Sequence, residues 1–105
     1  MIVVVFEVSP KEGRAQDYFD LAAALRPELE QVDGFISVER FESLTAPGKY
    51  VSLSFWRDAD AVAAWHGTEN HAVAQARGKS EIFEDFRITV AESIRSYTMA
   101  DRVGG

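Results

Sequence analysis

The sequence contains no cysteine, and this absence removes several kinds of chemistry at once. A chain without thiols forms no disulfides, offers no thiolate ligand to a metal and has no cysteine nucleophile. Redox chemistry would therefore need another carrier of electrons. The absence also suits a reducing compartment, so we expect a cytoplasmic protein.

Long hydrophobic runs are missing as well. The apolar run at the N-terminus, Ile2–Phe6, is interrupted by Glu7. It is too short for a membrane span or for the core of a signal peptide, and it is better read as a strand. We therefore expect no membrane partner.

Positive charge is scarce, because 11 Lys and Arg residues face 17 Asp and Glu residues and give a formal net charge of -6. Binding to a phosphate backbone depends on clustered basic side chains that release counterions. Nucleic acid is therefore not expected as a partner. The same balance places no restriction on small aromatic ligands.

What the chain does contain is enough apolar material for one core, with 47% hydrophobic residues in a length of 105. This length suits one domain and is too short for two. We expect the domain to occupy residues 1–98 and a loose C-terminal tail to occupy residues 99–105.

The first half of the sequence predicts a strand, a helix and a second strand. Residues 2–8 are β-branched and aromatic almost throughout, which favours a central strand. Apolar residues then recur every three or four positions from Tyr18 to Val32, which predicts an amphipathic helix with Pro27 shortening its final turns. Residues 35–41 alternate as a strand, with Phe35, Ser37, Glu39 and Phe41 on one side.

The second half predicts a hairpin partner, a broken helix and a long last strand. Tyr50–Trp56 resumes the strand pattern after a turn. Asp58 is a suitable cap for a helix that breaks near Gly67, with a further helical piece at residues 70–77. Phe86–Tyr97 alternates as the final strand.

The predicted order is β-α-β-β-α-β, an α+β fold of the ferredoxin-like class with a four-stranded antiparallel sheet and both helices on one face. The other face of such a sheet would expose apolar side chains to water. Exposed apolar patches usually mark an association surface, so we expect a homodimer packed sheet to sheet.

Several segments of the second half carry a family pattern. They are Ser54-Phe55-Trp56-Arg57-Asp58, Ala64-Trp65-His66, the stretch from Glu69 to Gly78, and Phe83-Glu84-Asp85-Phe86-Arg87-Ile88. With these residues the chain resembles the antibiotic biosynthesis monooxygenase family. The resemblance implies a dimeric α/β barrel and oxidation of a small aromatic substrate, such as a quinol, phenol or polyketide, by molecular oxygen without a cofactor.

The resemblance also nominates site residues. His71 stands where related quinol monooxygenases carry a histidine, and its ordinary pKa suits proton abstraction near neutral pH, although a histidine at a helix start can instead cap or face water. Glu7 is a second candidate for catalysis, or else an edge-facing residue that pairs with Arg87 or Arg95. The substrate-binding candidates each have a plainer structural alternative in core packing, capping or a helix surface: Trp65, Trp56, Asn70 and Gln75.

Two other functions remain open. One is a noncatalytic homodimer that binds a small ligand in the same pocket. The other is haem binding or degradation, which a related branch performs. That branch has an asparagine where this chain has Glu7 and an iron-binding histidine where it has Gln75. His66 and His71 are five residues apart and do not predict a metal site.

Overall fold

A computed structural model of the protein describes residues 1–68 and 76–102. Four strands and two helices organise this part of the chain, and two short helical turns follow the second helix and the last strand. The strands are β1 (Ile2–Pro10), β2 (Phe35–Glu42), β3 (Tyr50–Trp56) and β4 (Phe83–Glu92), and the helices are α1 (Ala15–Leu29) and α2 (Ala59–His66). The short turns are a π-helix at Gly78–Ile82 and a 3-10 helix at Ala100–Arg102.

The strands form one antiparallel sheet in the order β2-β3-β1-β4. The predicted α+β, ferredoxin-like fold and the central position of β1 are confirmed. Because side chains alternate along a strand, Ile2, Val4, Phe6 and Val8 of β1 face the helices, while Val3, Val5 and Glu7 face the other way. We call the second side the open face of the sheet.

The helix-covered side contains two apolar clusters. The first is built on Trp56, Ala61, Val62 and Trp65, and the second on Val8, Tyr18 and Ile82. Leu25 and Leu29 of α1 pack on the first cluster, whereas Phe19 and Leu21 pack on the second. One helix therefore bridges both clusters, and the space between them lies under its middle turns.

Helix α1 ends earlier than its apolar pattern predicts. Its last residue is Leu29, two residues beyond Pro27, and the pattern continues to Val32. Val32 still packs against the first cluster from the following turn. Gly34 has φ +94°, and a Cβ on it would lie 2.7 Å from the Cβ of Ala61. This glycine allows β2 and α2 to approach closely.

Strand β2 differs from the simple alternation that its sequence predicts. Phe35 pairs with Trp56 of β3, and Ser37 pairs with Phe55, the residue that precedes Trp56. Ile36 is therefore an extra residue in β2. This bulge turns Phe35 to the helix side, where its ring lies 5.3 Å from that of Trp56. The prediction that Phe35 shares a side with Ser37 is wrong for this reason.

The predicted bounds of the last strand, Phe86–Tyr97, are also wrong. Strand β4 runs from Phe83 to Glu92, and one further hydrogen bond joins the Ser93 amide to the Met1 carbonyl at 2.8 Å. In the described residues, no backbone hydrogen bond joins β4 to β1 beyond this point. The apolar side chain of Ile94 is consequently 99% exposed, although the alternating pattern continues through it.

The second helix begins as predicted, since the Asp58 carboxylate accepts a hydrogen bond from the Ala61 amide at 2.9 Å. It ends at His66 with Gly67 as its C-cap, which confirms the predicted break near Gly67. Most of the predicted helical piece at residues 70–77 lies outside the described residues, and its last two positions, Ala76 and Arg77, are helical. No helix in the described ranges is long and apolar enough to cross a membrane.

Candidate active site

A cavity of about 440 Å³ lies between α1 and the helix-facing side of the sheet. Its wall is mainly apolar, with aliphatic side chains from α1 and aromatic side chains from the sheet and α2. A volume of this size is typical of small-molecule sites. Its apolar contributors include Val4, Phe6, Leu25, Leu29, Phe83 and Ile88.

Both tryptophans nominated by the sequence line this cavity. Trp56 is 2% exposed, and its indole Nε1 donates to the Ser54 hydroxyl at 2.9 Å. Trp65 is 7% exposed and packs in the same cluster from α2. The two indoles therefore belong to the core and also form part of the cavity wall.

A polar pair lies on the cavity wall where α1 faces β2. The Arg40 Nε donates to the Tyr18 hydroxyl oxygen at 3.0 Å, and the Arg40 Cζ lies 5.2 Å from the centre of the Tyr18 ring. Tyr18 is 4% exposed, whereas Arg40 is exposed. Burial raises the pKa of Tyr18, with the nearby Arg40 charge acting in the opposite direction. The phenol is therefore protonated at neutral pH.

Tyr18 and Arg40 were not predicted as site residues. Tyr18 was assigned only to the apolar stripe of its helix, and Arg40 lay within the predicted strand at residues 35–41 without any role of its own. One sequence signal could have identified Arg40 as a site residue: it lies two residues after Val38, on the helix-facing side of β2. A charged residue in an apolar register indicates either an edge or a polar site.

The Glu7 carboxylate lies on the open face of the sheet and does not line this cavity. It accepts a hydrogen bond from the Arg87 Nε at 2.7 Å and pairs with the Lys49 ammonium at 3.3 Å. Hydrogen bonds from Arg87 and then Lys49 lower the pKa of Glu7. The pairing of Glu7 with Arg87 is thus present, and the structure does not bring Glu7 together with Trp65 and Trp56.

The remaining nominated residues, Asn70, His71 and Gln75, lie outside the described residues. His66, the other histidine, lies at the end of α2 and contributes to the cavity wall. Within residues 1–68 and 76–102 there is no group of three His, Asp or Glu side chains suited to holding a metal ion.

Comparison with known proteins agrees with this fold. Residues 1–77 match the family model described as antibiotic biosynthesis monooxygenase. The chain therefore belongs to the antibiotic biosynthesis monooxygenase family.

Two relatives share substantial sequence with this chain. Jasmonate monooxygenase ABM of Pyricularia oryzae is 40% identical over 99 residues, which cover 91% of this chain and 46% of the fungal protein. The chain thus spans about half the length of that relative. YqjZ of Bacillus subtilis, an uncharacterised protein, is 30% identical over 89 residues that cover 85% of this chain and 75% of YqjZ.

Solved structures share the fold at lower identity. Rv0793 from Mycobacterium tuberculosis superposes with a TM-score of 0.81 at 18% identity, covering 92% of this chain and 98% of that protein. SO0527 from Shewanella oneidensis gives a TM-score of 0.78 at 21% identity, covering 86% and 87%. At these identities the likeness shows the fold alone.

Proposed function

We propose that this protein is a monooxygenase that oxidises a small aromatic molecule, a phenol, quinol or polyketide-like compound, with molecular oxygen and without a cofactor. The observation that carries the proposal is the apolar cavity of about 440 Å³ with Trp56 and Trp65 in its wall. Membership of a monooxygenase family and 40% identity to a fungal protein named as a monooxygenase support it.

The chemistry is balanced for a phenol with a free para carbon. One phenol and one O₂ give one para-quinone and one water: one oxygen atom enters the quinone, and the other leaves as water with two hydrogens from the substrate. The substrate itself supplies the electrons. The protein then has to remove the phenol proton, orient the ring and exclude bulk water.

We propose His71 as the base that removes this proton, with Asn70 and Gln75 as hydrogen-bond donors to the substrate. The family resemblance supports these assignments. An imidazole titrates near neutral pH and can accept the phenolic proton, which leaves an electron-rich phenolate for reaction with oxygen. Trp56 and Trp65 would hold the aromatic ring by stacking and by excluding water.

Oxygen uptake with a panel of phenols and quinols tests the proposal. We expect substrate-dependent uptake by the wild-type protein treated with a chelator, and a loss of at least 100-fold in His71→Gln. His66→Gln is the matched control, because it removes the other histidine. The absence of uptake with every member of the panel would contradict the proposed function, and loss in His66→Gln alone would move the base to His66.

A noncatalytic ligand-binding protein is the second candidate, and the same apolar cavity favours it. Its signature is a phenol or quinol that binds with one-to-one stoichiometry and is recovered unchanged under air. Calorimetric titration followed by chromatography of the ligand distinguishes binding from turnover.

We also propose that the protein forms a homodimer through the open face of the sheet. The apolar residues on this face are only half buried in a single chain: Val3, Val5, Val51, Leu53 and Phe55. Packing against a second copy would remove their remaining surface from water. Sedimentation at micromolar concentration is expected to give the mass of a dimer, and a monomer would contradict this assembly.

A further inference from the structure

We propose that the cavity selects ligands that carry a carboxylate, with the apolar body of the ligand between the helices and the sheet and its carboxylate at Arg40 and Tyr18. This inference specifies the substrate class of the proposed function and rests on it for the choice of cavity. It requires binding alone and does not depend on turnover.

The charges on the cavity wall are unlike those of the whole chain. The chain has 17 acidic and 11 basic residues, yet the described wall contains Arg26 and Arg40 and no Asp or Glu. Two guanidinium groups and no carboxylate along this wall favour an anionic ligand over a neutral or cationic one.

The two arginines on this wall differ in their partners. The Arg26 Nε is already paired with the Glu30 carboxylate at 2.7 Å. For Arg40, the described part of the chain provides no carboxylate within 4 Å, and its Nε contact is to a neutral phenol. Arg40 is therefore the cation on this wall whose charge a ligand can neutralise.

The hydrogen bond between Arg40 and Tyr18 leaves specific donors for a ligand. Because the Tyr18 oxygen accepts from the Arg40 Nε, its own O–H hydrogen has to point elsewhere. Neither this hydroxyl nor the two terminal nitrogens of Arg40 donates to an acceptor within residues 1–68 and 76–102. An arginine fork with an adjacent hydroxyl donor suits the two oxygens of a carboxylate.

The surroundings of this pair keep the tyrosine in place. The Tyr18 ring lies 6.3 Å from the Phe6 ring and 5.8 Å from the Phe83 ring, both in edge-to-face arrangements. Ser52 is the cross-strand neighbour of Arg40 and lines the same cavity. The polar groups are thus fixed beside an aromatic surface on which the body of the ligand can pack.

A simpler role for the pair is structural, since the Arg40–Tyr18 contact also ties α1 to β2. The two roles differ in one measurable respect. A structural tie affects all ligands of the cavity alike, whereas recognition of a carboxylate affects acids and leaves their neutral analogues unchanged.

The test is anaerobic calorimetric titration with 3-(3-hydroxyphenyl)propanoate, whose carbon para to the hydroxyl is free, and with its primary amide. Wild type is expected to bind the acid at least 10-fold more tightly than the amide. Arg40→Gln is expected to abolish this preference by weakening the acid alone, Arg40→Lys to retain part of it, and Tyr18→Phe to weaken the acid several-fold.

Arg26→Gln is the matched control, because it removes the same charge from the same wall and is expected to keep the preference. Circular dichroism checks that each variant is folded. Equal wild-type affinities for acid and amide, binding of neither, or equal weakening of both in Arg40→Gln would overturn the inference. Tight binding of the acid without oxygen uptake would contradict the proposed function and leave the carboxylate site standing.

Discussion

Neighbouring residues of the same strands lie on opposite sides of the sheet, and the two sides have different surroundings. On the helix-covered side, Phe6 and Trp56 border a cavity whose described charged residues are all basic. On the open face, the adjacent Phe55 belongs to a row of half-buried apolar side chains, and the adjacent Glu7 is a carboxylate that is ion-paired with Arg87. A single step along a strand therefore separates the cavity that we propose as a ligand site from the open face that we propose as the dimer interface.

The comparison also shows where the packing energy of one chain is concentrated. The fully buried side chains lie on the helix-covered side, and the open face reaches only partial burial. We therefore expect substitutions on the first side to reduce the stability of the single chain. Substitutions on the second side should act mainly on association.

The largest effect is expected from Trp56→Ala on the helix-covered side. This change removes a side chain that is 2% exposed, together with its contacts to Phe35 and Ser54, and should lower the free energy of unfolding by about 3–5 kcal/mol. Urea unfolding followed by circular dichroism measures it. Leu44→Ala, at a side chain that is 97% exposed, is the control and should change stability by less than about 0.5 kcal/mol. A loss below about 1 kcal/mol for Trp56→Ala would refute the assignment of this indole to the core.

An intermediate effect is expected from Leu53→Glu on the open face. A carboxylate in the middle of a packed interface has to lose its hydration, so dimer dissociation should become at least about 100-fold easier, or about 2.7 kcal/mol. Sedimentation over a concentration series measures this change. Leu44→Glu introduces the same charge at an exposed loop position and should leave the dimer intact. If both variants sediment like wild type, the open face is not the interface.

The smallest effect is expected from Glu7→Gln, also on the open face. Since hydrogen bonds from Arg87 and Lys49 lower the pKa of Glu7 in the folded chain, its contribution to stability is present above the unfolded pKa, about 4.3. That contribution is lost as the pH falls through the lower folded pKa. Glu7→Gln should therefore be slightly less stable at pH 7 and show a flatter decline below about pH 5.

Urea midpoints measured between pH 3 and pH 7 test this dependence. Glu39→Gln is the matched control, because Glu39 is exposed on the same face of the sheet. An acid decline in Glu7→Gln identical to that of wild type would show that the ion pair contributes nothing.

Much of the fold could be predicted from the sequence because its signals are local. The β-branched run of β1 and the three-and-four spacing in α1 each report on a single element. The end of β4 could not be predicted in this way. The alternation through Ile88, Val90 and Ile94 is as regular as that of a paired strand, and it gives no sign that the last hydrogen bond to the neighbouring strand is the one from Ser93 to Met1.

The candidate site was harder to predict, for the same physical reason. Trp56 and Trp65, which line the cavity, could be nominated because large aromatic residues are conspicuous in the family pattern. The contact between Arg40 and Tyr18 joins residues that are 22 positions apart. The sequence around either residue does not predict this contact. Glu7 was nominated from the sequence of its strand alone. That sequence does not show which side of the sheet Glu7 faces, because the facing depends on which neighbours cover each side.

The extra residue at Ile36 has a consequence beyond the turning of Phe35. Strand β2 is an edge of the sheet, and an unblocked edge offers free backbone groups to any extended chain nearby. A bulge at one end of β2 and the exposed charges of Glu39 and Arg40 farther along make this edge a poor template for a fifth strand. At high concentration, this edge is therefore protected from the strand-by-strand growth that leads to fibrils.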